Sequence, residues 1–177
     1  MPLSPDATMY DEAGRTVIRF ERALRHPTER VWSALTTADE LVAWHPSPFE
    51  LEPRTGGAVT YRPPFDHAIG KGRVLAYEPG RLLAYTWGED ELRWELRPHA
   101  EGTVLVLMQT FGDHFKAARD AAGWHLCLDA LAGALDGAAA PSPTGERAIE
   151  AGWAELNGAY EERFGISPDE ATPPPEM

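Results

Sequence analysis

The chain has a single cysteine among 177 residues, so no disulfide can close within it, and that economy suits a reducing compartment. Basic residues are few: 16 Lys and Arg stand against 28 Asp and Glu, a formal net charge of −12. A phosphate backbone would be repelled, and no cluster of cations is dense enough to reverse the sign locally, so nucleic acid is not an expected partner. No apolar run reaches the roughly 18 to 20 residues of a membrane span. The opening segment MPLSPDATMYDEAGRT carries acids where a secretory signal has an apolar stretch. These absences point to a cytoplasmic protein with no membrane contact. Motifs for the commonest chemistries are missing too. His45, His67, His99 and His114 lack zinc-ligand spacing, and no G-x-S-x-G elbow is present. The GKG at 70–72 is not followed by the helix that a phosphate-cradling loop needs, and its glycines read instead as sites of strand curvature. Neither a metal nor a cofactor is expected.

What the sequence does have is aromatic bulk, six tryptophans and six phenylalanines, which must be buried or line a site. Residues 1–14 read as a flexible lead-in. TVIRFERAL then alternates, placing Ile18, Phe20 and Leu24 on one side of a first strand. Val31, Trp32 and Leu35 follow at helical spacing behind Pro27. Thr37 with Glu40 three residues on forms a capping-box pattern for a second short helix. From Phe49 to Phe111, Gly and Pro punctuate runs rich in β-branched and aromatic residues, predicting antiparallel strands at about 49–54, 57–62, 69–78, 81–88, 91–98 and 103–111. Leu83, Tyr85 and Trp87 share one side of their strand, as do Leu92, Trp94 and Leu96 of the next. A long helix follows, with Ala117, Ala121, Trp124, Leu128, Leu131 and Leu135 on one stripe and Gly137 as its stop. After a Pro/Ser/Gly hinge, Ile149, Trp153, Leu156 and Tyr160 share the face of an extra short helix. The tail from Ser167 has the composition of a disordered end.

The segments ERVWSALTTADELVAWH, GGAVTY, GKGRVLAYEPGRLLAYTW and AGWHLCLDALAGALDG, in that order, resemble the activator-of-heat-shock-chaperone-ATPase homologue branch of the START-like (SRPBCC) superfamily. The resemblance covers residues 15–137, and WAELNGAYEERFG is similar to the short tail helix of bacterial members. It implies an α+β helix-grip fold: a curved antiparallel sheet wrapped around the long helix, with two short helices after the first strand. The helix-grip domain would span 15–137, a hinge and accessory helix 138–166, and a disordered tail 167–177. Relatives of this fold bind lipids, hormones or polyketides, some catalyse cyclisation or hydrolysis, and one branch stimulates a chaperone's ATPase. The eukaryotic activator's separate amino-terminal chaperone-binding domain has no counterpart in these 177 residues, so that last role is not expected.

On a helical wheel with Trp124 at zero, His125 and Asp129 fall at about 100° and 140°, flanking the apolar stripe. Four residues apart, they could form a base oriented by a carboxylate or an ordinary boundary pair. Cys127 lies near the apolar edge and reads as buried filler. Leu126 points away from the sheet, where residues 153–160 or a second subunit in a homodimer would cover it. The expected ligand-binding set is Trp44, His45, Phe49, Tyr61, Phe65, Tyr85, Trp87, Trp94, Met108, Phe111, Phe115, Trp124, His125 and Leu128. Gln109 joins His45, Tyr61 and His125 as a candidate polar group. The function these residues suggest is non-catalytic binding of a small apolar or aromatic molecule in an enclosed void of roughly 300 to 1,000 Å³ between sheet and long helix. The alternatives are a cyclase or hydrolase with His45 or His125 as general base, and a stress- or chaperone-related interaction protein whose cavity is filled.

Overall fold

The structure, a computed structural model, describes residues 3–63, 68–138 and 141–174. Eight strands form one antiparallel sheet: β1 (Thr8–Glu12), β2 (Arg15–Leu24), β3 (Phe49–Leu51), β4 (Ala58–Tyr61), β5 (Gly70–Glu78), β6 (Leu82–Trp87), β7 (Asp90–His99) and β8 (Gly102–Phe111). Their spatial order is β1-β2-β8-β7-β6-β5-β4-β3. The chain leaves β2 through two short helices, α1 (Thr28–Thr36) and α2 (Ala38–Leu41), and enters the far edge of the sheet at β3. Hairpins then carry it back until β8 closes against β2.

Register explains the core. One row across four strands is Ile18, Gln109, Leu92 and Tyr85; the next is Phe20, Leu107, Trp94 and Leu83. All eight are buried on one face, and on that face lies the long helix α3 (Ala117–Leu135), entered through a 3-10 turn at His114–Lys116. Its stripe of Ala117, Ala121, Trp124, Leu128, Leu131 and Leu135 is buried as the spacing predicts, and Gly137 stops it in the left-handed region at φ 87°. This is the α+β helix-grip arrangement.

Several expectations are corrected. The lead-in is not loose over Thr8–Glu12, which forms edge strand β1 paired to β2. Its connection is a two-residue hairpin in which both Ala13 (φ 51°) and Gly14 (φ 77°) take positive φ. The strand shows no apolar alternation because backbone pairing to β2 is its main hold, with Met9 its one side chain packed against the core. The capping box at Thr37 does not form: the Glu40 carboxylate instead accepts from Arg30 Nη1 and Ser33 Oγ, both at 2.7 Å. The single helix expected around 149–160 is two, α4 (Glu146–Glu150) and α5 (Trp153–Phe164), broken where Gly152 sits at φ 95°. Ile149 is therefore exposed while Leu156 and Tyr160 are fully buried. Helix α5 packs along α3, and Leu126 is buried within a single chain, so no second copy is needed to cover it.

The tail is held rather than free over its described part. Thr172 N–H donates to Phe115 O at 3.0 Å, Thr172 Oγ1 to Asp113 Oδ2 at 2.7 Å, and Arg119 Nη1 to Pro173 O at 2.9 Å.

Candidate functional site

The space between sheet and α3, where an enclosed void was expected, is occupied by side chains. Trp44, Tyr85, Trp94 and Phe111 are each less than 2% exposed there. The cleft lies instead at the flank of α3, with a volume of about 620 Å³. Three walls build it. The sheet contributes Tyr61 at the end of β4 and Trp87 at the end of β6. Helix α3 contributes Arg119, Trp124 and Cys127. The outer wall is Pro143, Ile149 and Trp153, with Pro174 at the rim.

Local sequence sets these side chains. Tyr61 pairs with Gly70 across β4 and β5, and its ring lies where a Gly70 Cβ would stand, 2.2 Å from the ring edge. Lying flat over that glycine, the ring reaches the β6–β7 turn, where Tyr61 Oη accepts from Gly88 N–H at 2.7 Å. The Trp87 and Trp124 rings meet edge to face with centroids 5.7 Å apart. Trp153 opens α5 directly after left-handed Gly152.

One end of the cleft is lined by a charged network with little solvent access. Lys116 Nζ donates to Asp90 Oδ2 at 2.5 Å and lies 3.6 Å from Asp120 Oδ2, while Arg119 Nε holds Asp120 Oδ1 at 2.8 Å. Fully buried Gln109 ties it together: its Nε2 donates to Asp90 at 2.8 Å and Asp120 at 3.0 Å, and its Oε1 accepts from Trp124 Nε1 at 2.8 Å. Two cations and two carboxylates compensate, so the network positions Trp124 without charging the cleft.

Neither candidate base is in the lining. His45 is 1% exposed, packed between Trp44, Phe49 and Trp124 at centroid distances of 5.2 to 5.3 Å. Ser47 N–H donates to its Nδ1 at 2.9 Å, which leaves the proton on Nε2 to donate to Tyr85 Oη at 3.1 Å. Burial pushes its pKa down to about 3, and both nitrogens are engaged, so it is a poor base at neutral pH. His125 faces α5 and the lead-in: Nδ1 is 2.9 Å from Tyr160 Oη and 3.3 Å from Asp6 Oδ1. Its Nε2 is 3.7 Å from Asp129, whose other oxygen is taken by Arg22 at 2.7 Å. Burial would raise the Asp6 pKa, but the hydrogen bond from His125 and the charge of Arg22 outweigh it and hold Asp6 at about 2. This cluster ties the lead-in to α3 and α5. Cys127 reaches the cleft wall, yet burial raises its thiol to about 12, so it is an apolar wall group rather than a nucleophile.

Of the expected set, the cleft unites Tyr61, Trp87 and Trp124. Trp44, His45, Phe49, Tyr85, Trp94, Phe111 and Leu128 pack in the core instead. Met108 falls on the outer face of the sheet because its register partners are Arg19 and Arg93, and its sulfur lies 3.7 Å from Tyr10 Oη. Phe115 is on the 3-10 turn, 43% exposed and outside the lining. Phe65 lies outside the described residues. Sequence reasoning passed over Trp153, Lys116, Arg119 and Asp120. Lys116 and Asp120 had a signal, standing eight and four residues before Trp124 on its side of the helix, whereas Arg119 falls about 140° from it. Among the described residues, no group of three or more His, Cys, Asp or Glu side chains could hold a metal ion, and no helix is long and apolar enough to cross a membrane.

The model of a family described as activator of Hsp90 ATPase homolog 1-like protein matches residues 25–136. The chain belongs to that family. Among solved structures, this activator-homolog-like chain is similar to a Bordetella parapertussis protein determined by NMR, at 32% identity and TM-score 0.64, covering 90% of this chain and 91% of that one. It shares its fold with a conserved Enterococcus faecalis protein of unknown function (22% identity, TM-score 0.73, 91% and 92% covered). It also shares it with CalU16 from Micromonospora echinospora (23% identity, TM-score 0.64, 89% and 95% covered). No curated protein matches it significantly. The family match ends before the outer wall of the cleft, which residues 143–153 and Pro174 supply.

Proposed function

We propose that the chain binds a small apolar or aromatic molecule noncovalently in the cleft beside α3, in a reducing, cytoplasmic setting. One observation carries this reading: a recess of about 620 Å³ whose walls present Tyr61, Trp87, Trp124 and Trp153. That size suits a ligand of two or three fused or linked rings, and the driving force would be removal of apolar surface from water, about 25 cal/mol per Å². Edge and face contacts with the indoles would orient the guest. The enzymatic alternative lacks support, because His45 and His125 are committed to Tyr85 and Tyr160 and neither borders the cleft.

The test is a titration with N-phenyl-1-naphthylamine, a neutral aromatic probe whose emission rises in apolar surroundings. Saturable binding is expected with a dissociation constant in the micromolar range, weakened roughly tenfold in Trp153→Ala, since losing a buried indole contact is worth about 1–2 kcal/mol. Absence of saturable binding, or binding indifferent to both Trp153→Ala and Trp87→Ala, overturns it.

A further inference from the structure

At the rim of the cleft one cation is engaged by a group of the chain's own tail. Lys116 donates to Asp90 and lies 3.6 Å from Asp120, so two carboxylates flank its charge. Arg119 is different. Its Nε is committed to Asp120 at 2.8 Å, but its Nη1 donates to a neutral acceptor, the Pro173 carbonyl, at 2.9 Å, and among the described residues its Nη2 makes no hydrogen bond. Both Arg119 and Pro174 border the cleft. The strap that delivers the carbonyl has few fastenings: beyond Arg119 it is held by the two bonds of Thr172 and by Ala171 packed against the core, and Pro173 and Pro174 are exposed. Such a segment, outside any helix or strand, opens at low free-energy cost.

We propose that Arg119 is the residue that selects the ligand's polar group, that the Pro173 carbonyl holds that group's place in the empty protein, and that the ligand is an aromatic molecule bearing an anionic oxygen acceptor. This rests on the binding reading above. A guanidinium offered a carboxylate or sulfonate in place of an amide carbonyl gains a bond in which both partners are charged, with Nη2 available for a second. The ligand therefore displaces the strap instead of sharing the arginine with it. Recognition has to be local, because the net charge of −12 gives no general attraction for anions and is screened beyond roughly 8 Å at physiological salt.

The experiment pairs two probes of one skeleton, neutral N-phenyl-1-naphthylamine and its sulfonate, 8-anilino-1-naphthalenesulfonate, on the full chain. Thr172→Pro removes both Thr172 hydrogen bonds. It is expected to tighten the sulfonate at least fivefold and the neutral probe less than twofold, and Arg119→Gln added to it should abolish the gain for the sulfonate alone. In the unaltered chain, saturation with the sulfonate should strip the Thr172 amide of its hydrogen-exchange protection while the neutral probe leaves it, a readout that needs no variant to fold. Equal effects on both probes, or a Thr172 amide still protected at saturation, overturn the assignment to Arg119 and the strap while leaving the cleft reading intact. Failure of both probes to bind any form overturns both.

Discussion

Tyr61 and Gly70 act as a unit. The ring can lie across β5 only because position 70 has no side chain, and a Cβ there would stand 2.2 Å from it. Gly70→Ala is expected to push the ring away, break the bond to Gly88 N–H, cost about 1–3 kcal/mol in urea unfolding and weaken N-phenyl-1-naphthylamine. A variant as stable as the parent would show that the ring has room to move. His45 makes a prediction about acid. Its folded pKa is about 3 against an ordinary 6.5, so below pH 6.5 the unfolded chain takes up a proton that the folded chain refuses. Stability from this group is therefore constant above about pH 6.5 and falls as pH drops towards 3, by up to about 1.4 kcal/mol per unit. Urea unfolding at pH 7 and pH 5 should show this loss, and His45→Gln should show on the order of 1–2 kcal/mol less of it; an identical drop in the variant would refute the buried neutral imidazole. Gln109 bridges two carboxylates and an indole, so Gln109→Leu leaves the buried Trp124 N–H without its acceptor and takes one donor from each carboxylate, and is expected to cost about 2–4 kcal/mol by thermal unfolding.

At the scale of elements, the legible parts were those whose side chains report burial. The β6 and β7 alternations and the α3 stripe were readable because a buried face imposes its period on the sequence. Strand β1 was not, because an edge strand with both faces largely in solvent needs only backbone pairing and a two-residue turn. The break at Gly152 was missed for a related reason: Ile149, Trp153, Leu156 and Tyr160 keep helical spacing across it, and a single glycine in a helical pattern does not announce a left-handed residue. The core contribution of α5 is checkable. Leu156 is fully buried at the α3 contact, so Leu156→Ala is expected to cost about 2–5 kcal/mol and lower the melting temperature accordingly. A loss under 1 kcal/mol would mean that α5 is only loosely docked.

For the whole molecule, the helix-grip layout could be read from the order of segments, but the site could not, because which aromatic fills the interior and which walls a cleft depends on packing that no periodicity encodes. Trp44 and Trp87 look alike in sequence; one is sealed in the core with its Nε1 donating to Ala34 O, and the other ends a strand at the cleft. The surplus of acid acts globally as well. Most of its ion pairs are at the surface and contribute little, whereas like-charge repulsion is distributed over the molecule. Raising salt from about 20 to 200 mM is therefore expected to raise the melting temperature by a few degrees, as repulsion is screened more than attraction is lost; a decrease would show that the surface pairs dominate.

The cleft is walled on one side by the shared frame of the family and on the other by residues 143–153 and Pro174, which lie beyond the family match. The match over residues 25–136 therefore accounts for one side of the cleft, and the chemistry of the facing side is set by this chain's own later segment.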